Sequence, residues 1–456
     1  MNVLILGAGS VGGEIARVLV KNQCMVTIVD TRENRLLELQ KSLDLRGVTG
    51  NAADPEVLLS AGGEDADLVI AITAIDEVNL VACKLCTLLF NTPKKIARIR
   101  GGIFADKEIY SEKGFGIDHI FCPEQIVADN IISAIRHPGS LEVHPFANNK
   151  AVLASIAIAA KSPLAGESIK NARTRLPDVN FRVVSLYRDD KPLKPAPDTR
   201  FFVGDEVSLI TADKNMAKLA PLFSDGNSDS HNDVMIAGGG NIGQRVATAI
   251  ETGCNVKLIE IEQERCRKLA QELKNTLVLK GSATDEQLLK EEGIHNTDFY
   301  CGLTNDDEEN ILSAMLAKRL GARKTVAIVN RETYVNILKR QLDIVVSPSQ
   351  LTIGSVLAHI RWGDVSRVHS LHHGSTEAIE AVIHGNTDTS LMVGRKMADI
   401  NWPEEATPGA IVRGDDFLPV NDDTVIEDGD RLIVLVRGRN GLKQVEKLLQ
   451  VSFLHF

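Results

Sequence analysis

The sequence is poor in the features that mark disulfide-rich, membrane-spanning and nucleic-acid-binding proteins. It has seven cysteines among 456 residues and only 4% aromatic residues. The cysteines are scattered along the chain, which is typical of buried thiols in a reducing compartment. Lys and Arg number 51 against 61 Asp and Glu, a net charge of -10. Because there is no overall positive field to attract DNA or RNA, nucleic acid is not an expected partner.

Long apolar stretches are also missing. The longest uninterrupted one, residues 151–160, is only ten residues long, whereas a membrane helix needs about 20. The amino-terminal residues 1–7 contain no basic region or cleavage site and run directly into a predicted strand. We therefore expect a cytoplasmic protein without a membrane span.

Common catalytic and metal-binding patterns are absent as well, including GxxxxGK[ST], GxSxG and HExxH. The pair Cys83-x-x-Cys86 lies in an apolar helical stretch without a second CxxC, which predicts core packing. His144 and His369 are expected to be structural, and His372–His373 to lie in an exposed loop. The acidic run 305–309 lacks the alternating ligands and central glycine of a calcium loop. No catalytic residue and no metal site is predicted.

What the sequence does contain is a long internal repeat. GAGSVG at residues 7–12 recurs as GGGNIG at residues 238–243, an offset of 231 (238 − 7). The same offset pairs Asn79 with Asn310, and the later offset of 225 pairs Asp118 with Asp343. We infer that the chain is a duplication.

Each copy is predicted to contain two domains. Short apolar runs alternating with helical periodicity predict an α/β fold, a Rossmann-like doubly wound parallel sheet. A strand, helix, strand, strand, helix pattern then predicts a small α+β domain of βαββα type. The predicted domains and the polar linker between the copies are 1–140, 141–225, 226–233 (linker), 234–365 and 366–456.

The glycine motif of the first copy is the strongest chemical signal. Gly7, Gly9 and Gly12 follow the first strand and open a helix, and Asp30 ends the next strand. In dinucleotide-binding folds such glycines permit a tight turn, close approach to a pyrophosphate and close helix packing. Asp30 would accept hydrogen bonds from a ribose 2′-hydroxyl and repel a 2′-phosphate, which favours NAD over NADP. The alternative is a Rossmann-like domain that keeps its glycines only for packing.

The second copy repeats this motif with one change. Gly238, Gly240 and Gly243 stand at the glycine positions, and Glu260 takes the acidic position. A glutamate can also accept hydrogen bonds from a ribose hydroxyl, through a longer side chain. The alternative here is a duplicated site whose ligand has changed or been lost.

Two further features fall at the ends of predicted strands. Thr73 and Thr304 each begin a Thr-x-x-Asp pattern before a helix, at the sheet edge where ligands of α/β sheets sit. Capping without ligand contact is the alternative. Arg98 and Arg100 end at the same edge and could meet a phosphate, or could be surface charges. The offset of 231 pairs Arg98 with Val329, so an Arg98 role would belong to the first copy alone.

These fingerprints, with LVIAITAIDEVNLVAC at residues 68–83 and LTNDDEENILSAMLAKRLGA at residues 303–322, closely resemble the regulatory subunits of bacterial Trk potassium-uptake systems. The units of that family are domains called RCK or KTN. The resemblance implies a non-enzymatic, peripheral protein on the cytoplasmic face of the inner membrane, bound to an integral membrane subunit that translocates potassium. It also implies a gating ring of eight RCK units, and therefore a homotetramer. Family ligands are NAD(H) and, in some members, ATP or ADP.

The resemblance also implies nucleotide-contacting residues in both copies. In the first copy the candidates are Gly7, Ala8, Gly9, Ser10, Val11, Gly12, Asp30, Thr73, Ala74 and Arg98. In the second copy they are Gly238, Gly239, Gly240, Asn241, Ile242, Gly243 and Glu260. Which nucleotide would occupy which copy stays open at this point.

The sequence thus predicts a nucleotide sensor that acts by shifting the populations of two ring shapes. Two other interpretations stay open. One is an NAD-dependent oxidoreductase with duplicated Rossmann domains, for which His144 or His369 would be the candidate proton donor. The other is an assembly module that holds a membrane partner without sensing a ligand.

Overall fold

The structure is a computed structural model of the chain. The residues it describes are 1–100, 114–137, 139–189, 191–223, 233–338, 341–360, 365–371 and 376–449. By its contacts the chain divides into two units, one formed by residues 1–127 with 348–360 and one by residues 128–347 with 361–456. Residues 226–232 of the predicted linker and His372–His373 lie outside the described residues. Among the described helices, none has the length and apolar character needed to cross a membrane.

A six-stranded parallel sheet is the centre of the first unit. Its strands are β1 (Asn2–Leu6), β2 (Met25–Asp30), β3 (Arg46–Thr49), β4 (Leu68–Ala71), β5 (Lys94–Arg98) and β6 (His119–Phe121). They lie in the order β3-β2-β1-β4-β5-β6, and every pairing is parallel. The strand order reverses between β1 and β4, so the loops after these two strands border the crevice in which such sheets bind ligands.

Helices cover both faces of this sheet. They are α1 (Ser10–Lys21), α2 (Glu33–Gln40), α3 (Pro55–Ser60), α4 (Asp76–Phe90) and the start of α5 (Pro123–Arg136). Val3 and Ile5 belong to one apolar cluster, and Leu4 and Leu6 belong to another. Because side chains alternate along a strand, a strand buried on both faces reads as the continuous apolar run seen in the sequence.

The first small domain is an antiparallel sheet with two helices. Its elements are β7 (Glu142–Phe146), β8 (Ala151–Ala157), α6 (Ile169–Arg175), β9 (Phe181–Arg188), β10 (Lys191–Leu193), β11 (Glu206–Ala212) and α7 (Met216–Phe223). The strand order is β10-β9-β11-β8-β7.

The second copy repeats the parallel sheet. Its elements are β12 (Asp233–Ala237), α8 (Asn241–Ile250), β13 (Asn255–Glu260), α9 (Gln263–Glu272), β14 (Thr276–Lys280), α10 (Glu286–Glu291), β15 (Phe299–Gly302), α11 (Asp307–Arg319), β16 (Lys324–Ile328), α12 (Glu332–Leu338) and β17 (Ile344–Val346). The order β14-β13-β12-β15-β16-β17 matches that of the first sheet element by element.

The next helix, α13 (Pro348–Ile360), belongs to the first unit rather than to the sheet that precedes it in sequence. It packs against α1, and Val356 is fully buried in the same apolar cluster as Ile15 and Leu19. A helix from the second copy therefore completes the core of the first parallel sheet.

The second small domain repeats the sheet of the first, but a single 3-10 turn at Met397–Asp399 stands where the first domain has its first helix. Its elements are β18 (Val365–Leu371), β19 (Thr376–Val382), β20 (Ala406–Arg413), β21 (Asp416–Pro419), β22 (Arg431–Arg437) and α14 (Gly438–Leu449). The strand order is β18-β19-β22-β20-β21.

The two small sheets share one apolar cluster. Leu153 and Ile210 of the first sheet are buried together with Ile433 and Leu435 of the second. The Glu380 carboxylate is buried at this interface, where it accepts a hydrogen bond from the Ala147 backbone N–H at 2.8 Å. The small domains are thus joined by both apolar burial and a buried carboxylate.

The predicted fold class is confirmed: two Rossmann-like parallel sheets, each followed by a small antiparallel sheet with helices. The order of the elements was sufficient for this, because strands alternating with helices indicate a parallel sheet and the change to a strand, helix, strand, strand, helix pattern indicates a different domain.

We expect Leu153→Ala to destabilise the protein by about 2–5 kcal/mol, because it removes a fully buried side chain from the cluster that both small sheets share. Leu193→Ala is the matched control, since Leu193 is 37% exposed on the edge strand β10. Urea denaturation followed by circular dichroism measures both. Equal midpoints for the two variants would contradict the prediction.

Candidate nucleotide-binding sites

The glycine loop after β1 is shaped by close backbone packing. Gly7 has φ +116°, and a Cβ added there would lie 2.9 Å from the Ile72 carbonyl oxygen. A Cβ on Gly12 would lie 2.0 Å from the Gly7 carbonyl oxygen. No atom of the described residues lies within 4 Å of a Cβ added to Gly9. Two of the three glycines are therefore required by the fold, and Gly9 leaves an open backbone surface.

The second loop has the same geometry. Gly238 has φ +105° and its added Cβ would lie 2.7 Å from the Leu303 carbonyl oxygen. A Cβ on Gly243 would lie 2.0 Å from the Gly238 carbonyl oxygen, whereas one on Gly240 has no atom within 4 Å in the part of the chain that the structure describes.

Each loop leads into a helix whose first turn has no side-chain cap. Gly9 and Gly240 are the N-cap residues of α1 and α8, and neither helix has an acidic residue in its first turn. The N–H groups of such a turn point out of the helix, where the helix dipole adds partial positive charge. Ser10 and Asn241 are exposed at these positions. Both helix starts are suited to an anion such as a pyrophosphate.

Asp30 is held against the first loop. Its side chain is 9% exposed, and it accepts hydrogen bonds from the Ala8 N–H at 2.7 Å and the Arg32 N–H at 2.9 Å. Arg32 also donates through Nε at 3.1 Å. Burial alone would raise the pKa of Asp30, but these hydrogen bonds outweigh burial and hold the pKa below its usual range. Asp30 is therefore ionised at neutral pH.

Glu260 occupies the same place in the second copy. It accepts hydrogen bonds from the Gly239 N–H and the Glu262 N–H, both at 2.8 Å. A Cβ on Gly239 would lie 2.4 Å from Leu269 Cδ1 and 3.0 Å from Glu260 Oε2. The packing of Leu269 and the longer acid therefore both favour glycine at position 239, whereas the first copy has Ala8 beside the shorter Asp30.

Sequence reasoning missed an arginine beside each loop. Arg35 Nε donates to the Ala8 carbonyl at 3.1 Å, and Arg265 Nε donates to the Gly239 carbonyl at 2.7 Å. Each arginine lies five residues after the acid of its copy (35 − 30 and 265 − 260). That repeated spacing was the available signal.

Sequence reasoning also missed the buried amide that organises the end of β4. Asn79 is fully buried, and its Oδ1 accepts from the Thr73 N–H at 2.9 Å and from Thr73 Oγ1 at 2.8 Å. Its Nδ2 donates to the carbonyls of Thr73 at 3.3 Å and Arg98 at 2.9 Å. Every donor and acceptor of this amide is used, and it joins the ends of β4 and β5.

The second copy repeats this network. Asn310 accepts from the Thr304 N–H at 2.7 Å and from Thr304 Oγ1 at 2.9 Å. It donates to the carbonyls of Thr304 at 3.0 Å and Ile328 at 3.1 Å. The pairing of Asn79 with Asn310 was visible in the repeat, but only the fold shows what the two side chains do.

The aspartates of the two Thr-x-x-Asp patterns connect loops rather than cap helices. Asp76 accepts from the Arg100 N–H at 2.7 Å, and Asp307 accepts from the Arg331 N–H at 2.9 Å. The cap of α11 is Asp306, which accepts from the Glu309 N–H at 2.7 Å. Only the position of the pattern, at the carboxyl edge of the sheet, agrees with the sequence expectation.

Arg98 adds a positive charge to the first site. Its Nη2 donates to the Thr73 carbonyl, and its Nε is buried without a hydrogen-bond partner among the described residues. Burial lowers the pKa of this guanidinium, and neighbouring Arg100 lowers it further, although an arginine stays protonated at neutral pH. Ala74 lies exposed on the same loop.

The counterpart of Arg98 differs from the one the constant offset indicates. The Asn79 amide donates to the Arg98 carbonyl, and the Asn310 amide donates to that of Ile328. The equivalent of Arg98 is therefore Ile328 rather than Val329, because the second copy is one residue shorter before this strand. The second site has no arginine at this position.

The remaining sequence candidates are packing residues. Cys83 and Cys86 are fully buried, and burial raises the pKa of Cys86 to about 11. His144 and His369 stack with ring centroids 4.7 Å apart, and Phe146 packs edge-on against His369 at 5.0 Å. Among the described residues no group of three or more His, Cys, Asp or Glu side chains is placed to hold a metal ion.

Comparison with known proteins identifies the domain types. The TrkA-N domain model matches residues 3–123 and 234–348, and the TrkA-C domain model matches residues 153–224 and 387–450. These four segments coincide with the two parallel sheets and most of the two small domains.

Full-length relatives are also found. A Halomonas elongata protein named Trk system potassium uptake protein TrkA is 43% identical over 462 residues, covering 100% of both chains. A Vibrio alginolyticus protein of the same name is 41% identical and covers 99% of both chains.

Solved structures share the fold at low identity. The crystal structure of the GsuK RCK domain superposes with a TM-score of 0.61 at 20% identity, covering 98% of this chain and 94% of that one. The GsuK channel bound to NAD gives 0.61 and 20%, covering 98% and 78%.

We expect Asn79→Asp to destabilise the protein by about 1–3 kcal/mol at neutral pH. The change buries a carboxylate against the carbonyl oxygens of Thr73 and Arg98, which lose their donor. Asn51→Asp is the isosteric control, because Asn51 is exposed and only accepts a hydrogen bond, from Ala53 N–H. Urea denaturation measures the free energy of unfolding of both variants. Wild-type stability of Asn79→Asp would show that the amide donors are dispensable.

Alanine substitutions at Gly9 and Gly12 in the first loop should have different effects on stability. Gly9→Ala should fold with wild-type stability, because its added methyl meets none of the described residues within 4 Å and its φ of −63° suits alanine. Gly12→Ala should be strongly destabilised by its 2.0 Å clash with backbone. Thermal unfolding distinguishes the two, and a destabilised Gly9→Ala would refute the open backbone surface.

Proposed function

The chain belongs to the TrkA family of Trk potassium uptake proteins, and from this premise we propose that it is the nucleotide-sensing regulatory subunit of its system. TrkA is a subunit of Trk potassium uptake systems, and the family is not an enzyme family. In the proposal, the chain binds NAD(H), with ATP and ADP as further ligands, and gates an integral membrane subunit that translocates potassium. It works as a homotetramer on the cytoplasmic face of the inner membrane.

The observation that carries the proposal is the same open loop in both copies. Gly9 and Gly240 leave an exposed backbone surface at an uncapped helix start, and Asp30 and Glu260 each place a carboxyl group beside it. This combination suits a pyrophosphate on the helix N-terminus and a ribose hydroxyl on the acid. Two structural neighbours, the GsuK channel bound to NAD and GsuK bound to ADP, hold ligands of this class.

The two sites differ in charge, which supports different ligand preferences. The first site has Arg98, with a buried and unpartnered Nε, and Arg32 beside Asp30. The second site has Ile328 and Glu262 at the equivalent positions. A more highly charged phosphate chain is favoured in the first site, because a half-buried guanidinium makes strong charge-assisted hydrogen bonds.

Packing within the first unit connects the proposed ligand site to a helix of the second copy. The nucleotide would contact the start of α1, and the body of α1 packs against α13. Helix α13 leads in sequence to the second small domain. A ligand that favours one position of α1 would shift the population of ring shapes by its difference in affinity for them.

The decisive experiment is a calorimetric titration with NADH, NAD, ATP and ADP, read for affinity and for sites per chain. Arg98→Ile installs the residue of the second copy and should weaken ATP binding at the first site by about 10–100-fold, the value of a hydrogen bond to a charged group. Arg267→Ile, on the exposed surface of α9, controls for the loss of one positive charge. Unchanged ATP affinity in Arg98→Ile would remove Arg98 from the site.

Measurements of potassium uptake distinguish a nucleotide sensor from an assembly module. Gly9→Ala and Gly240→Ala should abolish nucleotide-dependent changes in potassium uptake while the membrane complex still assembles. Normal regulation of uptake in the double variant would leave the protein with an assembly role only.

A further inference from the structure

The hydrogen-bonding capacity of Thr73 is almost fully used inside the protein. Its N–H donates to Asn79 Oδ1, and its carbonyl accepts from Asn79 Nδ2 and from Arg98. Its hydroxyl lies 2.8 Å from Asn79 Oδ1 and 3.1 Å from the Ile75 carbonyl oxygen. Both of these neighbours are acceptors, so within the protein the single hydroxyl proton points to one of them.

The orientation of the Asn79 amide is determined by its neighbours. If its oxygen and nitrogen were exchanged, the NH2 group would face the Thr73 N–H, and the oxygen would face two carbonyls. That arrangement replaces every hydrogen bond with a donor–donor or acceptor–acceptor contact. The buried amide therefore keeps its oxygen toward the Thr73 hydroxyl.

The hydroxyl oxygen of Thr73 can still accept one hydrogen bond from a ligand. The Ile75 N–H is 3.3 Å from Oγ1 and uses one lone pair, which leaves the second. The second copy has the same arrangement. Thr304 Oγ1 donates to Asn310 Oδ1 or to the Asp306 backbone carbonyl, and it accepts from the Asp306 N–H at 3.2 Å. Both threonines are only half-buried, whereas both asparagines are fully buried.

The ligand group that meets Thr73 lies next to the phosphate loop. The Thr73 nitrogen would be 3.1 Å from a Cβ on Gly7, and the open surface of Gly9 begins two residues later. In a dinucleotide, the group attached directly to the pyrophosphate is a ribose. A ribose hydroxyl can donate to Oγ1, whereas an ionised phosphate oxygen has no proton to donate and would be repelled by it.

We propose that Thr73 and Thr304 are specificity residues that accept a hydrogen bond from a ribose hydroxyl of the nucleotide, with Asn79 and Asn310 as the positioning residues that prevent them from binding phosphate. The inference rests on the proposed function, since it concerns the same sites. It separates three tasks: the glycine loops and Arg98 bind phosphate, Asp30 and Glu260 bind one ribose of the dinucleotide, and the threonines bind the other.

The test uses NADH and inorganic pyrophosphate as probes in calorimetric titrations of the full chain. Thr73→Val/Thr304→Val should lose about fivefold in NADH affinity, as expected for one neutral hydrogen bond, with unchanged pyrophosphate affinity. Thr73→Ser/Thr304→Ser keeps both hydroxyls and should bind both probes like the wild type. The serine variant also serves if the valine variant folds poorly, because its NADH affinity should stay within twofold of wild type.

Different results would overturn this inference and the proposed function. An equal loss of NADH and pyrophosphate affinity in the valine variant, or a loss of NADH affinity in the serine variant, would overturn the inference and leave the proposed function intact. Failure of the wild type to bind NADH at all would overturn the proposed function, and this inference with it.

Discussion

Both candidate sites depend on one steric constraint, the contact between the start of a helix and the turn that precedes it. A Cβ on Gly12 or Gly243 would lie 2.0 Å from the carbonyl oxygen of Gly7 or Gly238. This contact places the uncapped helix N-terminus over the end of the first strand of each parallel sheet. The open backbone at Gly9 and Gly240, and the carboxyl groups of Asp30 and Glu260, are arranged around that position. The ligand surface is thus a consequence of tight backbone packing.

A second constraint is the buried amide at the end of the fourth strand. Asn79 and Asn310 are fully buried with every hydrogen bond made, so the loops they join cannot move independently. A buried amide of this kind is costly if any partner is lost, which makes the local geometry all-or-none. The same amide orients a threonine hydroxyl toward itself. One side chain therefore determines both the shape of the loop and the kind of hydrogen bond that it offers.

Duplication has kept the framework of the sites and changed their chemistry. Both copies retain the glycines, the arginine that bonds the loop carbonyl, and the Thr–Asn network. They differ at Ala8 and Gly239, at Asp30 and Glu260, and at Arg98 and Ile328. The conserved positions are those at which backbone packing or a buried hydrogen bond leaves no alternative. Among the changed positions, Ala8 and Gly239 are buried beside the acid of their own copy, whereas Arg98 has the uncharged Ile328 as its counterpart.

Local pattern was sufficient for the repeat, the fold class and the glycine loops, because the spacing of apolar residues and the need for glycine in a tight turn are short-range properties. The roles of Asn79 and Arg35, and the pairing of Arg98 with Ile328, depended on which strand ends come together in the sheet. The packing of α13 on the first sheet, and of the two small sheets on each other, was decided only by tertiary structure. An apolar helix face or sheet face requires burial, but its sequence does not specify which of several similar surfaces will cover it.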